Sequence, residues 1–506
     1  MAVINSIFSW LMKKRMHQIE LFMRYPYEVQ QEWLHRLVDS AKDTEWGKKY
    51  EYSSILTEAE FKRRIPISEY DDLKPYIDRL RKGEQNLLWP SEIRWFAKSS
   101  GTTSDKSKFI PVSQESLDEC HFKGGKDMLT LYCHNYPDTH LFDGKTLSLG
   151  GSYKEEEGNI YARNGDLSAI IMENLPGWAE FFRAPDLSIA LMSEWEEKMN
   201  KIAEAIMHEN ITCLSGVPSW MLVLLKHTLK LSGKKNLAEL WPQLEIFFHG
   251  GVNFTPYREQ YTDMFKPLKV NFWEVYNASE GFFGIQDSFS GKQDMLLMLD
   301  YGIYYEFIPM EHIEKRDVAL SLAEVKTGVN YALVISTSGG LWRYMLGDTI
   351  QFTSINPFRF IITGRVKHFI NAFGEELIMD NAEKALNAAC ERTGAIISEY
   401  TAAPVYMKGD AKGAHEWLIE FKRPPENINY FTEVLDNSLK ALNSDYEAKR
   451  YKDMTLTMPI IRSLPENAFF NWMKQRGKLG GQHKVPRLTN DRKYVDDIMG
   501  SIKMQA

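Results

Sequence analysis

From Ile211 onward, short apolar runs alternate with longer segments of helical periodicity. LEIFFHGG (residues 244–251) predicts a buried strand ending in a glycine turn. Thr255-Pro256 then predicts a helix start, as cap and first-turn proline. LKVNFWEVYNASEG (268–281) predicts a second strand that ends in a polar loop. Strands alternating with helices imply a largely parallel sheet, whose ligands gather beyond the carboxyl ends of the strands. Between residues 295 and 360 the pattern changes: YGIYYEFIP, NYALVISTSGGLWRYMLGDTIQF and FRFIITGR predict antiparallel strands with glycine-containing turns. Residues 1–95 are mostly of helical periodicity. Beyond Arg365 a smaller α+β pattern follows. Asp380 and Glu383 suggest a capping-box start for a helix to about Cys390, then come strand-like IISEYTAAPVYM and EWLIEF and a helix over about 430–450. The fold class expected is α/β: a large N-terminal domain (1–365) with mainly parallel sheets plus a β-rich subdomain, a hinge (366–372) and a small mobile C-terminal α+β domain (373–506).

The 506 residues exceed what one core supports, and 44% hydrophobic with 25% charged residues is an ordinary globular composition. A formal charge of −7 argues against general nucleic-acid binding, which needs a basic surface, but leaves room for small anionic ligands. Four cysteines (Cys120, Cys133, Cys213 and Cys390) form no C-x-x-C pair, which argues against a zinc or disulfide scaffold and suits a cytoplasmic protein. The apolar run from Ile4 to Met12 precedes its basic residues, unlike a signal peptide, and is too short to span a bilayer. It reads as an amphipathic helix packed on the body, with membrane-surface attachment as the alternative.

AKSSGTTSDKSKFIPVS (97–113) packs small hydroxyl residues, one glycine and two lysines into one bend. Small residues let a backbone approach a ligand, and hydroxyls and amide N–H groups suit phosphate oxygens; an exposed turn is the plain alternative. Three polar loops follow apolar runs: SSGTT, GGVNF and YNASEG. GDT (347–349), TGRVKHFINAFGEE and the basic stretch RGKLGGQHKVPR (476–487) come after them. The G-x-x-x-x-G-K-[ST] loop, a G-x-S-x-G elbow and H-E-x-x-H are all absent from the sequence.

In this order the motifs resemble those of the adenylate-forming superfamily. The closest resemblance is to the plant auxin-responsive acyl acid amido synthetases (the Gretchen Hagen family) and their bacterial relatives. The likeness spans about residues 97–487. It implies that Ser99, Ser100, Gly101, Thr102, Thr103 and Lys108 cradle ATP phosphates. Asp105 departs from the glycine that plant members often carry there, and Lys106 beside it offsets the added charge. The resemblance also implies that Tyr276 packs on the adenine with Gly251 and Val252 opposite. Ser279 then lies near the α-phosphate and Glu280 holds Mg²⁺, a hard cation suited to carboxylate oxygen. Asp348 takes the ribose hydroxyls, unless it is a turn residue after Gly347. Arg365 reaches ribose or phosphate, Lys367 marks the pivot of the small domain, and Lys484 supplies positive charge at the reacting oxygens. Trp220, Phe254 and Phe283 line an acyl pocket or are core, and Trp178, Phe181 and Phe182 add a lid. His249 is a structural donor or an acid–base group.

The implied reaction adenylates a carboxylic acid with ATP and passes the acyl group to an amine, such as an amino acid, releasing AMP and pyrophosphate. Acyl-CoA ligation is the alternative within enzymes, and a nucleotide-binding regulator the alternative outside them. Retention of Glu280, Asp348 and Lys484 together speaks against the regulator. The partners expected are a small carboxylic acid and an amine, with no nucleic acid and no membrane span, for a monomer or weak oligomer.

Overall fold

The computed structural model describes residues 2–100, 107–155, 161–252, 254–255, 257–288, 293–313, 315, 318–366, 369–409, 411–476 and 485–503. The chain divides into two compact units. The first comprises residues 1–99, 109–251 and 262–366, and the second 100–108, 252–261 and 367–506.

One eleven-stranded sheet dominates the first unit. Its strands are β1 (Lys145–Ser148), β2 (Arg183–Ala184), β3 (Ile211–Gly216), β4 (Ile246–His249), β5 (Asn271–Ala278) and β6 (Gly281–Ile285). They continue as β7 (Met295–Leu297), β8 (Ile303–Pro309), β9 (Asn330–Thr337), β10 (Tyr344–Ile355) and β11 (Phe358–Arg365). The spatial order is β8-β9-β10-β11-β7-β6-β5-β4-β3-β1-β2. Pairings from β2 through β1, β3 and β4 to β5 are parallel. From β5 onward every pairing is antiparallel.

Strand β5 therefore joins two kinds of sheet. β4 is buried along its whole length, as expected of a strand covered on both faces. β8 and β9 are buried almost throughout, β10 is buried in part, and together they supply Tyr305, Phe307, Leu333, Ile335, Ile350 and Phe352 to the main core.

The amino-terminal helix Ala2–Arg24 belongs to this core. Met12, Ile19 and Phe22 are buried, and Arg15 on the same side is only 4% exposed. Its guanidinium grips Asp127 (Nε to Oδ1, 2.8 Å) and Asp300 (Nη1 to Oδ2, 2.7 Å). Tyr301 adds its hydroxyl to Asp127 at 2.7 Å. A buried charge cluster this completely paired anchors the helix, because removing one partner strands the others at a cost of about 3–5 kcal/mol.

The second unit holds a three-stranded sheet of Ile396–Val405, Ala414–Arg423 and Ile460–Leu464 in that order. Helices Met379–Thr393 and Ile428–Leu442 accompany it. Three expected helices differ in detail. The first runs from Arg258 to Phe265, after a turn in which the Tyr257 N–H donates to the Phe254 carbonyl; Pro256 lies outside the described residues. The second begins at Met379, directly out of strand Leu377–Ile378, with Ile378 in the cap position, so Asp380 lies within the helix rather than at its cap. The single helix expected over 430–450 is two, Ile428–Leu442 and Ser444–Arg450. Asn443 separates them, and its Oδ1 accepts the N–H groups of Asp445 (2.9 Å) and Tyr446 (2.8 Å). An asparagine in extended backbone makes a better N-cap than helix interior.

Candidate active site

Because β1, β3, β4 and β5 run parallel, their carboxyl ends share one edge of the sheet. Four strand exits lie there: residues 149–152, Val217 at the cap of helix Pro218–Ser232, 250–251 and 279–280. The glycines at 250 and 251 are required by geometry. A Cβ on Gly250 would sit 2.2 Å from the Val275 carbonyl oxygen, and Gly251 has φ +83, which side-chain-bearing residues rarely adopt. Backbone at this turn approaches its neighbour, and anything beyond it, more closely than any other residue permits.

Ser279 and Glu280 form not a polar loop but the two-residue turn of a hairpin, with Ala278 paired to Gly281. Both are partly exposed. Three positions before Ser279, Tyr276 points into the unit and is 6% exposed. Its ring meets Phe283 at 4.9 Å and Phe360 at 6.1 Å. Its hydroxyl donates to Asp348 Oδ2. Burial first, and then the Asp348 carboxylate, push the phenol well above its ordinary range, so it stays a donor.

Asp348 is a strand residue. Gly347, at φ +93, opens an irregularity in β10, where Ala332 faces Thr349 but Val334 faces Met345. Such bulges re-aim side chains. Beyond it, Asp348 lies directly across from Arg365 of β11, and Arg365 Nε donates to Asp348 Oδ1 at 2.7 Å. The aspartate thus has one oxygen on a phenol and the other on a guanidinium, with the pair at 13% and 20% side-chain exposure. The Glu280 charge reaches the same group, acting on both Tyr276 and Tyr344 after their burial. Tyr276, Glu280, Asp348 and Arg365 are the sequence-derived residues that the fold brings together.

Ser279 shares the turn with Glu280, and Gly251 lies in the turn after β4 of the same sheet. Ser99 belongs to the first unit, at strand Trp95–Ser100. Ser100, Lys108 and Val252 belong to the second. Gly101, Thr102, Thr103, Asp105, Lys106, Lys367 and Lys484 lie outside the described residues. Phe283 is core, fully buried between Tyr276 and Tyr305. Phe254 is packed on Tyr261 in the second unit. Trp220 is half-buried in the first turn of helix Pro218–Ser232, and Phe181 is 78% exposed. His249 closes β4 and is buried.

Among the described residues no group of three or more His, Cys, Asp or Glu side chains could hold a metal ion. A single carboxylate at a strand end suits a Mg²⁺ that is held mainly by substrate phosphates, so Glu280 fits that role.

Matches to known families extend over most of the chain. The GH3 family N-terminal domain matches residues 15–270, the central domain 296–365 and the C-terminal domain 380–493. The chain belongs to the GH3 family. Two Arabidopsis thaliana relatives are each 24% identical. Indole-3-acetic acid-amido synthetase GH3.3 is matched over 94% of this chain and 91% of its own length, and 4-substituted benzoates-glutamate ligase GH3.12 over 92% and 93%. Among solved structures, GH3.15 acyl acid amido synthetase superposes with a TM-score of 0.60 at 17% identity, covering 96% of this chain and 95% of its own. 2-Hydroxyisobutyryl-CoA ligase, in complex with 2-HIB-AMP and CoA, does so with 0.58 at 12%, covering 94% and 92%. The GH3 fold thus sets the Asp348–Arg365 pair on the sheet that carries the Gly250–Gly251 and Ser279–Glu280 turns.

Two features of this GH3 chain carry no signal in its loop motifs. The turn after β1 contains a second Gly-Gly pair, Gly150-Gly151, which repeats the pattern after β4: an apolar run ending in paired glycines. Lys198, in a helix of ordinary amphipathic pattern, is 1% exposed and bonds to that turn. Only the glycine pair was visible in the sequence.

Proposed function

We propose that the protein is an ATP-dependent ligase that adenylates a carboxylic acid and transfers its acyl group to an amine, giving an amide, AMP and pyrophosphate. The observation that carries this reading is the Tyr276–Asp348–Arg365 cluster on the sheet whose parallel edge bears Gly250–Gly251 and Ser279–Glu280, in a chain of the GH3 family whose named relatives include an amido synthetase and a ligase.

The chemistry follows from charge. A free carboxylate resists nucleophilic attack, so one of its oxygens first attacks the α-phosphorus of ATP and the bond to pyrophosphate breaks. The resulting mixed anhydride has AMP as leaving group; the amine nitrogen attacks its carbonyl carbon, loses a proton, and AMP departs. Asp348, oriented by Tyr276 and Arg365, accepts the ribose hydroxyls. Arg365 keeps a guanidinium beside the nucleotide. The phosphate-loop residues Ser99, Ser100, Gly101, Thr102, Thr103 and Lys108 offer donors to phosphate, and Lys484 neutralises the reacting oxygens. Gly251 and Val252 face the adenine. Mg²⁺, held by Glu280 and the phosphates, would screen the charge on those phosphates. Positioning and charge stabilisation supply the catalysis.

In this reading residues 1–365 form the ATP- and acyl-binding domain, 366–372 a hinge and 373–506 the small domain. A cytoplasmic monomer or weak oligomer accords with four free cysteines, and no helix among the described residues is long and apolar enough to cross a membrane.

Acid-dependent ATP–pyrophosphate exchange across a library of carboxylic acids tests the proposal, followed by mass detection of products with amino acids or CoA. Exchange with one class of acid and an amide product are expected. A thioester product would make the protein an acyl-CoA ligase, and ATP binding without exchange for any acid would make it a regulator.

A further inference from the structure

Of the segments at the parallel edge, those after β1 and β3 have no role in the mechanism above, and the one after β1 is the longer loop. Its residues 149–152 read LGGS. The two glycines are closely approached by their neighbours. A Cβ on Gly150 would lie 2.7 Å from Met172 Sδ, and one on Gly151 would lie 1.9 Å from Asp166 Oδ2. Every backbone polar group from the Gly150 carbonyl to the Ser152 carbonyl has a partner. Gly151 N–H donates to Ser168 Oγ (2.9 Å), Ser152 N–H donates to Asp166 Oδ2 (2.9 Å), and the Ser152 carbonyl accepts from Asp166 N–H (3.0 Å). The carbonyls of Gly150 and Gly151 converge on one atom, Lys198 Nζ, at 2.8 Å each.

Lysine is almost never fully buried unless paired, yet Lys198, on helix Trp195–Ile206, is 1% exposed. Burial draws its ammonium down to about 8, against the pull of Asp166. A buried ammonium holding two carbonyls of one turn fixes that turn more firmly than a neutral donor does, since charge-assisted bonds are about twice as strong.

The place of the turn says what it serves. In the order β5-β4-β3-β1, β1 lies two strands from the Gly250–Gly251 turn and three from Ser279–Glu280. At about 4.8 Å per strand, that is roughly 10–14 Å along the edge where ligands of a parallel sheet gather, outside the two turns assigned to the nucleotide. The surroundings are apolar. Leu149 and Met221 flank Gly216 at the end of β3, and Met172 packs on Gly150.

We propose that Lys198 is a positioning residue that locks the 149–152 turn as a wall of the site for the acyl part of the acid substrate. The proposal rests on the adenylation reading above. Lys198 does not touch the reacting atoms; it acts through the turn.

The test uses the full chain with K198M, which keeps length and loses all donors, and K198R, which keeps them. With an acid that supports pyrophosphate exchange in the parent, K198M should raise the KM for that acid about tenfold or more while the KM for ATP stays within about twofold. K198R should recover most of the loss. Amide hydrogen exchange at Gly151 and Ser152 should quicken in K198M and not in K198R. An unchanged acid KM in K198M, or acid and ATP KM values rising together, would overturn the proposal. If K198M does not fold, K198Q, with one donor pair retained, should give an intermediate acid KM, and a parental value there would equally overturn it. If the parent exchanges with no acid at all, the adenylation reading falls, and amide exchange alone then judges the lock: unchanged rates reject it and faster rates support it.

Discussion

Glu280 occupies half of a two-residue turn, where its carboxylate is close enough to act on Tyr276 and Tyr344. Glu280→Gln keeps size and loses charge. Adenylation should fall and its Mg²⁺ titration should shift to higher concentration, with the unfolding midpoint unchanged; a titration that overlays the parent's would remove Glu280 from the metal. His121 makes a different kind of prediction. It ends a π-helical turn, is 4% exposed, and burial holds its imidazole down to about 4. Unfolded, the same group takes a proton near 6.5, so between those values the unfolded chain binds more protons than the folded one. Stability therefore falls as the pH drops from about 6.5 towards 4, by about 3 kcal/mol from this residue at the acid end. Denaturant midpoints at pH 7, 5 and 4 should show a shallower acid loss in His121→Asn than in the parent. Parallel curves would mean that His121 titrates normally in the folded protein.

At the scale of elements, strand ends hold the site and glycine sets how near they approach. Gly250→Ala would drive a Cβ into the Val275 carbonyl at 2.2 Å, so β4 and β5 must shift apart. Overpacking of this kind costs about 1–3 kcal/mol, and the displaced β5 should carry Tyr276 and Glu280 with it. The melting temperature should drop and the KM for ATP should rise. Gly177→Ala, where a Cβ meets nothing within 4 Å, should leave both unchanged and serves as the control. Elements also show where local pattern misled. Asp380 and Glu383 have the spacing of a capping box, but the helix emerges straight from a strand with Ile378 at its cap. The break at Asn443 was legible in principle, since Asn-Ser-Asp in LNSDYE is a capping sequence, yet the apolar periodicity on either side masked it.

For the whole molecule, stability and chemistry draw on different residues. Arg343, at φ +43, sends Nε and Nη2 to Glu306 at 2.8 Å each and Nη1 to the carbonyls of Lys62 (2.8 Å) and Ile65 (2.6 Å). That network ties distant parts of the first unit together just before β10 begins. Lys484, by contrast, is proposed to act only in chemistry. Lys484→Ala should slow acid-dependent pyrophosphate exchange about a hundredfold or more, equivalent to roughly 3 kcal/mol. Amine consumption from a synthetic acyl-adenylate should change far less, because the phosphate is by then the leaving group. Exchange that survives intact, or both steps falling together with the melting temperature, would mean that the mechanism has the wrong lysine.

Local pattern was enough to place β4, because a strand buried on both faces must be a continuous apolar run, and β5 and β8 to β11 from their β-branched and aromatic content, whereas β6 and β7 were not marked as strands. It was also enough to mark YNASEG and GDT as special, since small and acidic residues after apolar runs are rare outside turns and sites. What those residues touch was not legible. Tyr276 and Asp348 are 72 positions apart, and their bond exists only because β5 and β10 lie in one sheet with β10 bulged at Gly347. Arg365 meets Asp348 by strand register, which no single segment encodes. Lys198 shows the limit most plainly. In its own helix it is an unremarkable charged residue, and only the fold, which sets the 149–152 loop beside that helix, turns it inward, where two carbonyls replace water around its ammonium. Apolar periodicity is a property of neighbours in the chain, whereas the partner of a buried charge is a property of neighbours in space.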